Sequence, residues 1–321
     1  MKALCRHILR LALLGGLCVT GFAQAAALRD GQQIPLWPGS APGSEKLTIQ
    51  ATITERSKNP YNPDRIIQGI TKPDMIAFVP EKPNGTALIA APGGAYLREV
   101  LDKEAVEIAR LYAAQGITVF VLTYRLPGEG HAQRSDVTLK DAQRAVRLVR
   151  ANAKDWGLDP ARIGFMGFSA AGHMAALLGA KFDSTVYPAV DGSDKLSARP
   201  DFLMLLYPVV SMEAGVSHAD TRKALLGPEP TRAQEEAYSA DRHVTKASPP
   251  TLLILADDDA DVPTENAIRY YQALKRAGVP AEMHIFAQGK HGFSVKFTKG
   301  LPVAVWPETG LTWIRAMKMM P

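Results

Sequence analysis

The segment Gly167-Phe168-Ser169-Ala170-Ala171-Gly172 sets a serine hydroxyl among small residues, directly after the apolar run Ile163 to Met166 and ahead of a stretch with helical spacing. A serine on a sharp strand-to-helix turn is a nucleophile elbow, which lifts the hydroxyl clear of the backbone for attack on a carbonyl carbon. The turn brings neighbouring backbones together, so a larger side chain at Gly167 or Ala171 would collide. The helix behind the serine turns its N–H groups and positive dipole end toward the reacting carbonyl oxygen, which makes the N–H of Ala170 one oxyanion donor. In isolation the same serine would serve as an ordinary helix cap.

Three further stretches supply the context. Ala91-Pro92-Gly93-Gly94-Ala95-Tyr96 follows a strand-like run upstream of the serine, and its glycines allow backbone N–H groups to converge on a developing oxyanion. By itself this is a Pro-Gly-Gly turn; its position before the elbow links it to the chemistry. After the run Leu252 to Leu255 come Asp257, Asp258, Asp259 and Asp261, four carboxylates in five residues, any of which can orient a base. After Met283 to Phe286 comes Gly289-Lys290-His291-Gly292-Phe293, where flanking glycines give a histidine room to turn toward the serine. Serine, then acid, then histidine, each on a loop after a strand, is the chain order of a hydrolase triad. Among the other histidines, His173 lies one helical turn after Ser169 and packs beneath the elbow, His131, His218 and His243 fall in loops or an insertion, and His284 falls in a strand. There is no His-Glu-x-x-His and no cysteine pair, so no metal is expected, and the chemistry needs no cofactor.

The elements that must hold these groups alternate along the chain. Residues 28 to 62 read as an extended lead-in with one strand, Leu47 to Thr54. Strands follow at Ile66 to Ile70, Met75 to Val79 and Ala87 to Ala91, then a helix at Lys103 to Ala114 and a strand at Ile117 to Leu122. Thr138 to Asn152 is an amphipathic helix, with Ala142, Ala145, Val146 and Val149 on one face. Strand and helix then alternate through Ile163 to Met166, Ala170 to Ala180, Phe202 to Tyr207, Leu252 to Leu255, Glu265 to Ala277, Met283 to Phe286 and Trp306 to Lys318. Such alternation implies an α/β fold, a mainly parallel sheet with helices on both faces. Ser211 to Lys246 is the longest interruption, polar and partly helical, and is expected to form a small cap insertion within a single domain covering 27–321.

The first 26 residues stand apart. Lys2, Arg6 and Arg10 precede or border the apolar run Leu11 to Val19, and Ala23-Gln24-Ala25 follows, the pattern of a cleaved secretory signal peptide over 1–26. The run is too short to span a bilayer, so no membrane anchor is expected after cleavage and the mature protein is exported, to the periplasm or outside the cell. Cys5 and Cys18 both fall in this segment, leaving the mature chain without thiol or disulfide; Leu17 is too bulky for a lipoprotein site before Cys18. Processing leaves 34 basic against 32 acidic residues, so a net charge of +5 becomes +2, and no Lys/Arg run points to nucleic acid.

Gly167-Phe168-Ser169-Ala170-Ala171-Gly172-His173 resembles the G-F-S-A-G-G-H of bacterial α/β-hydrolase acetyl esterases related to acetylxylan and feruloyl esterases. Leu36-Trp37-Pro38-Gly39, Pro92-Gly93-Gly94, Tyr124-Arg125-Leu126, Asp159-Pro160, Tyr207-Pro208-Val209, Asp259 to Pro263 and His291-Gly292-Phe293 match in order along nearly all of the mature chain. The resemblance implies the α/β-hydrolase fold and hydrolysis of acetyl or other small acyl esters on plant cell-wall carbohydrate. Its D-x-x-V-P pattern falls on Asp259 to Pro263 and implies that Asp259 is the triad acid beside Ser169 and His291. Two departures are Ala171 and Ala95, each in place of a glycine; with Ala95 there, Gly94 is the first choice and Gly93 the second for the loop donor that joins Ala170. The expected partner is a small-molecule or oligosaccharide ester. A broad short-chain or feruloyl-type carboxylesterase is the alternative. A serine peptidase would need a large accessory domain for which the chain has no room, a lipase an apolar lid where Ser211 to Lys246 is charged, and a non-catalytic binding protein would not keep every triad position.

Overall fold

Strands that are buried at every position form the middle of an eight-stranded sheet. In the computed structural model, residues 27–321 are described; the leader expected over 1–26 lies outside the described residues. The strands are β1 (Gln33–Pro35), β2 (Thr52–Glu55), β3 (Arg65–Gln68), β4 (Asp74–Phe78), β5 (Ala87–Ala91), β6 (Glu99–Val100), β7 (Thr118–Thr123), β8 (Ile163–Phe168), β9 (Phe202–Leu206), β10 (Thr251–Ala256) and β11 (Ala281–Phe286). The helices are α1 (Glu107–Ala113), α2 (Val137–Asn152), α3 (Ala170–Lys181), α4 (Ala219–Leu226), α5 (Arg232–Tyr238), α6 (Glu265–Arg276) and α7 (Trp306–Ala316). A π-helical turn, Asp102–Val106, leads into α1.

The large sheet has the order β1-β4-β7-β5-β8-β9-β10-β11. From β7 to β11 every neighbour is parallel, whereas β4 runs antiparallel to β7 and β1 antiparallel to β4. The inner parallel strands β5, β7, β8, β9 and β10 are buried at every position and read as mostly apolar runs, whereas the edge strand β11 is partly exposed. Alternate residues serve opposite faces. Ile89, Phe165, Leu205 and Leu253 pack with α2, α3 and α6, and Leu88, Met166, Met204 and Ile254 pack with α1 and α7. Truncating a fully buried ring here, such as Phe165→Ala, costs about 3–5 kcal/mol through lost transfer energy and the cavity left behind.

Register aligns the carboxyl ends of the strands. Ala91 lies opposite Gly167, Phe168 opposite Leu206, and Ala256 opposite Phe286. The loops after β5, β8, β10 and β11 therefore leave the sheet on one edge, where open α/β sheets keep their ligand sites.

The sequence reading differs from the structure in three places. The strand expected over Leu47 to Thr54 exists only from Thr52 to Glu55, exposed throughout, in a separate antiparallel sheet of order β2-β3-β6. β1 and β6, three and two residues long, carry no periodic signal and are strands only because β4 and β3 pair with them. The first turn of the helix expected from Lys103 is π-helical. The insertion after β9 carries α4 and α5 and contacts α3 and α6 through the short turn Ala240–Arg242. Among the described residues no helix is long and apolar enough to cross a membrane.

Candidate active site

Ser169 joins β8 to α3 with φ +52° and ψ −117°, a conformation that costs an L-residue about 1–3 kcal/mol and persists only where its surroundings enforce it. The enforcement is visible. Ser169 N–H donates to Leu206 O at 3.0 Å, and Ser169 O accepts from Gly172 N–H at 2.9 Å and Val209 N–H at 3.0 Å. A Cβ at Gly167 would overlap the carbonyl oxygen of Ala171, so only glycine fits there. Ala171, which stands where the resembled pattern has glycine, buries its methyl completely in the core beside Met174 and Ala175.

His291 and Asp259 complete a hydrogen-bonded chain. Ser169 Oγ lies 2.8 Å from His291 Nε2, and His291 Nδ1 lies 2.7 Å from Asp259 Oδ2. An ionised carboxylate only accepts, so Nδ1 carries the proton and Nε2 is left to accept from the serine hydroxyl; this tautomer follows from the partners. Asp259 Oδ1 accepts the N–H groups of Asp261 and Val262, both at 2.9 Å, and its side chain is 2% exposed against 19% for His291. The neighbouring carboxylates divide. Asp258 Oδ1 accepts from Gly289 N–H at 2.8 Å and Lys290 N–H at 2.7 Å, tying the acid loop to the histidine loop. Asp257 and Asp261 are exposed, and among the described residues their side chains make no hydrogen bond. Spacing alone did not separate these four.

Behind the imidazole stands Tyr207, with its ring edge-on to His291 at 5.1 Å and to Phe293 at 4.6 Å. Its hydroxyl donates to Glu104 Oε1 at 3.0 Å, and Glu104 Oε2 accepts the N–H of Gly93 at 2.8 Å. Burial, reinforced by the Glu104 carboxylate, pushes the Tyr207 phenol well above its ordinary pKa and keeps it a donor. Neither Glu104 nor Tyr207 was singled out as a site residue from the sequence. Glu104 read as one polar position in a helix, and Tyr207 only as part of a matching Tyr-Pro-Val.

The same bond corrects the second choice of oxyanion donor. The N–H of Gly93 is already held by a buried carboxylate and its carbonyl accepts from Val100 N–H at 2.9 Å, so Gly93 has no N–H to offer. The N–H groups of Gly94 and Ala170 have no acceptor among the described residues. Beyond Gly94, Ala95 and Tyr96 both have positive φ, +59° and +58°. Tyr96 anchors them, with its hydroxyl 2.9 Å from His173 Nδ1, while His173 Nε2 lies 2.7 Å from Tyr238 O. A carbonyl only accepts, so Nε2 of His173 carries the proton and Nδ1 accepts from Tyr96. Burial lowers the His173 pKa to about 4, which keeps it neutral. His173 thus sits beneath the elbow as a fixed support. His131 pairs with Ser44, His218 caps α4, and His284 pairs with Glu282, all away from Ser169.

A cavity of about 590 Å³ opens beside His291, lined by Lys103, Asp258, Gln288, Phe293, Phe297 and Leu301 among others. Among the described residues, no three His, Cys, Asp or Glu side chains are placed to hold a metal ion. What this arrangement can perform is acyl transfer through a serine nucleophile.

A mainly parallel eight-stranded sheet of this order, with a serine elbow after β8, is the α/β-hydrolase fold. The chain belongs to the BD-FAE family, whose sequence profile matches residues 77–274, a span that includes Ser169 and Asp259 and stops short of His291. It is 36% identical to an acetylxylan esterase of Xylanibacter ruminicola over 226 residues, 69% of this chain and 44% of that protein. It is 31% identical to endo-1,4-beta-xylanase B of Butyrivibrio fibrisolvens over 208 residues, 65% of this chain and 32% of that protein. The chain thus spans less than half the length of either relative. Among solved structures, an acetyl ester-xyloside bifunctional hydrolase from Caldicellulosiruptor lactoaceticus superposes with a TM-score of 0.74 at 33% identity, covering 91% of this chain and 98% of that one.

Proposed function

We propose that this protein is a serine carboxylester hydrolase that removes acetyl groups from carbohydrate esters such as acetylated xylan fragments. Ser169 is the nucleophile, His291 the general base and Asp259 the acid that orients it. The observation that carries this reading is the unbroken chain from Ser169 Oγ to His291 to Asp259, at 2.8 and 2.7 Å, on a serine in a strained elbow. His291 Nε2 takes the hydroxyl proton as Oγ attacks the ester carbonyl, and the N–H groups of Gly94 and Ala170 bind the tetrahedral oxyanion. Collapse of that intermediate expels the alcohol with the proton from His291. Water, activated by the same histidine, then releases acetate from the serine.

The carbohydrate part of the reading rests on the relatives, an acetylxylan esterase and an acetyl ester-xyloside hydrolase among them. Export belongs to the same proposal, supported by the basic residues, the short apolar run and the Ala23-Gln24-Ala25 site.

The test is acetate release from acetylated xylan, pectin and small sugar esters, together with a p-nitrophenyl ester series. kcat/KM is expected to be highest for acetate and to fall steeply by butyrate or hexanoate, since a pocket discriminates by about 1–3 kcal/mol per methylene. A maximum at octanoate, or faster turnover of a feruloyl ester than of acetate, would remove the acetylesterase reading.

A further inference from the structure

Glu104 has no part in the steps above, yet it is 3% exposed and touches both halves of the site. A glutamate is almost never buried to that degree unless it is paired. Among the described residues no lysine, arginine or histidine forms an ion pair with it. Its partners are instead two neutral donors: Oε2 accepts from Gly93 N–H at 2.8 Å and Oε1 accepts from the Tyr207 hydroxyl at 3.0 Å. The turn that carries it is itself anchored. Asp102 accepts from Arg65 N–H at 2.7 Å and from its guanidinium at 2.6 Å, so the π-helical turn is tied to β3. Wide turns of this kind occur often at functional sites.

The bond to Gly93 fixes more than one atom. A trans peptide sets the N–H of one residue opposite the carbonyl of the residue before it, and no peptide among the described residues is cis. Glu104 holds the N–H of Gly93, and Val100 holds its carbonyl. With both peptide planes set, the N–H of Gly94 has one direction open, away from Val100. Gly93 also lies against the nucleophile, since a Cβ there would come 2.8 Å from Ser169 Cβ and 2.9 Å from Glu104 Oε2. At its other oxygen Glu104 holds Tyr207, whose ring borders His291. The carboxylate charge disfavours a nearby oxyanion but favours the imidazolium formed in the same step, so the two electrostatic effects oppose one another.

We propose that Glu104 is a positioning residue: by holding Gly93 and Tyr207 at once it sets the oxyanion loop and the base at a fixed distance about Ser169. This rests on the reading of Ser169 and His291 as nucleophile and base.

The test compares Glu104→Ala, Glu104→Gln and Tyr207→Phe in the whole protein. It reads kcat and KM on p-nitrophenyl acetate per titrated active site, the rate of inactivation by a serine-directed phosphonate, and the melting temperature. Glu104→Ala is expected to lose about 10²–10³-fold in kcat and in phosphonate rate, the scale of one misplaced oxyanion donor, with KM changed by less than about threefold. Glutamine keeps an acceptor for Gly93 and is expected to return to within roughly tenfold of wild type, and Tyr207→Phe to lose roughly tenfold. A residue that only fills space would lower the melting temperature and the number of titratable sites while kcat per site stayed at the wild-type value; that result overturns the proposal. Glu104→Gln as slow as Glu104→Ala also overturns it. If Glu104→Ala does not fold, Tyr207→Phe decides, and an unchanged kcat per site counts against. Wild-type protein that takes up phosphonate at Ser169 but releases no acetate would defeat the acetyl-ester reading alone, because the phosphonate rates still report on Glu104.

Discussion

Two histidines flank the elbow, and the same imidazole has opposite surroundings in each. His173, four residues after Ser169 on α3, is fully buried, and Tyr96 and Tyr238 hold its two nitrogens. His291, 122 residues away in sequence, sits on a loop between Lys290 and Gly292, both with positive φ, and its side chain is 19% exposed. One nitrogen of His291 meets a hydroxyl and the other a carboxylate. The difference teaches that proximity in sequence to a nucleophile is a poor guide to the base. A base needs a free lone pair toward the serine, an anion behind it to stabilise the charged form, and solvent near enough for proton exchange. His173 has none of these.

Breaking the His291 side should give the largest effect. Ser169→Ala or His291→Ala is expected to lower kcat on an acetyl ester by roughly 10⁴–10⁶, by analogy with other triads. If a His173 variant of intact fold lost as much, the contrast between the two histidines would be wrong.

The acid comes next. Asp259→Asn should cost about 10³–10⁴ in kcat, because an amide leaves the imidazole free to take the wrong tautomer. Asp257→Asn and Asp261→Asn should stay within about twofold, since neither side chain has a hydrogen bond to lose among the described residues. A crippling Asp257 or Asp261 variant, measured side by side with Asp259→Asn, would reassign the acid.

His173 should reveal itself in stability instead. Burial depresses its pKa from 6.5 to about 4. Between those values the unfolded chain binds the extra proton, so this contribution is whole above about pH 6.5 and is lost as pH falls toward 4. It is of order 3 kcal/mol. Replacing His173 with Gln should lower the melting temperature at pH 7 and flatten its fall between pH 6.5 and 4; an unaltered slope would mean that His173 is not the group responsible. His131, also lowered to about 4 by burial, supplies a second contribution of the same sign.

The smallest effect is expected at Asp258. Asp258→Ala removes the one oxygen that accepts two N–H groups of the histidine loop, about 1–2 kcal/mol of stability, and should lower kcat by only a few-fold. A melting temperature equal to wild type would show that the two loops are held together by other contacts.

Much of this was legible before any coordinates. The unbroken apolar runs of β5 and β9 and the amphipathic α2 announce a sheet covered on both faces, because burial on two sides leaves no polar position for alternation to show. Short strands such as β1 and β6 were not legible, for they exist through their partners and not through their own residues. In the site, Ser169 and His291 stand out because small neighbours and glycines are required on any tight functional turn. Asp259 stood out from Asp257, Asp258 and Asp261 only through the resemblance, since a carboxylate's role depends on where it points and not on what it is.

Residue type and order determined which chemistry this chain can offer and on which loops. The tertiary structure decided which groups meet: Gly93 is spent on Glu104, Asp258 ties the two loops, and His173 has both ring nitrogens held, by Tyr96 and Tyr238. Those outcomes depend on contacts between residues 11, 31 and 77 positions apart, whose distances only the packed sheet sets.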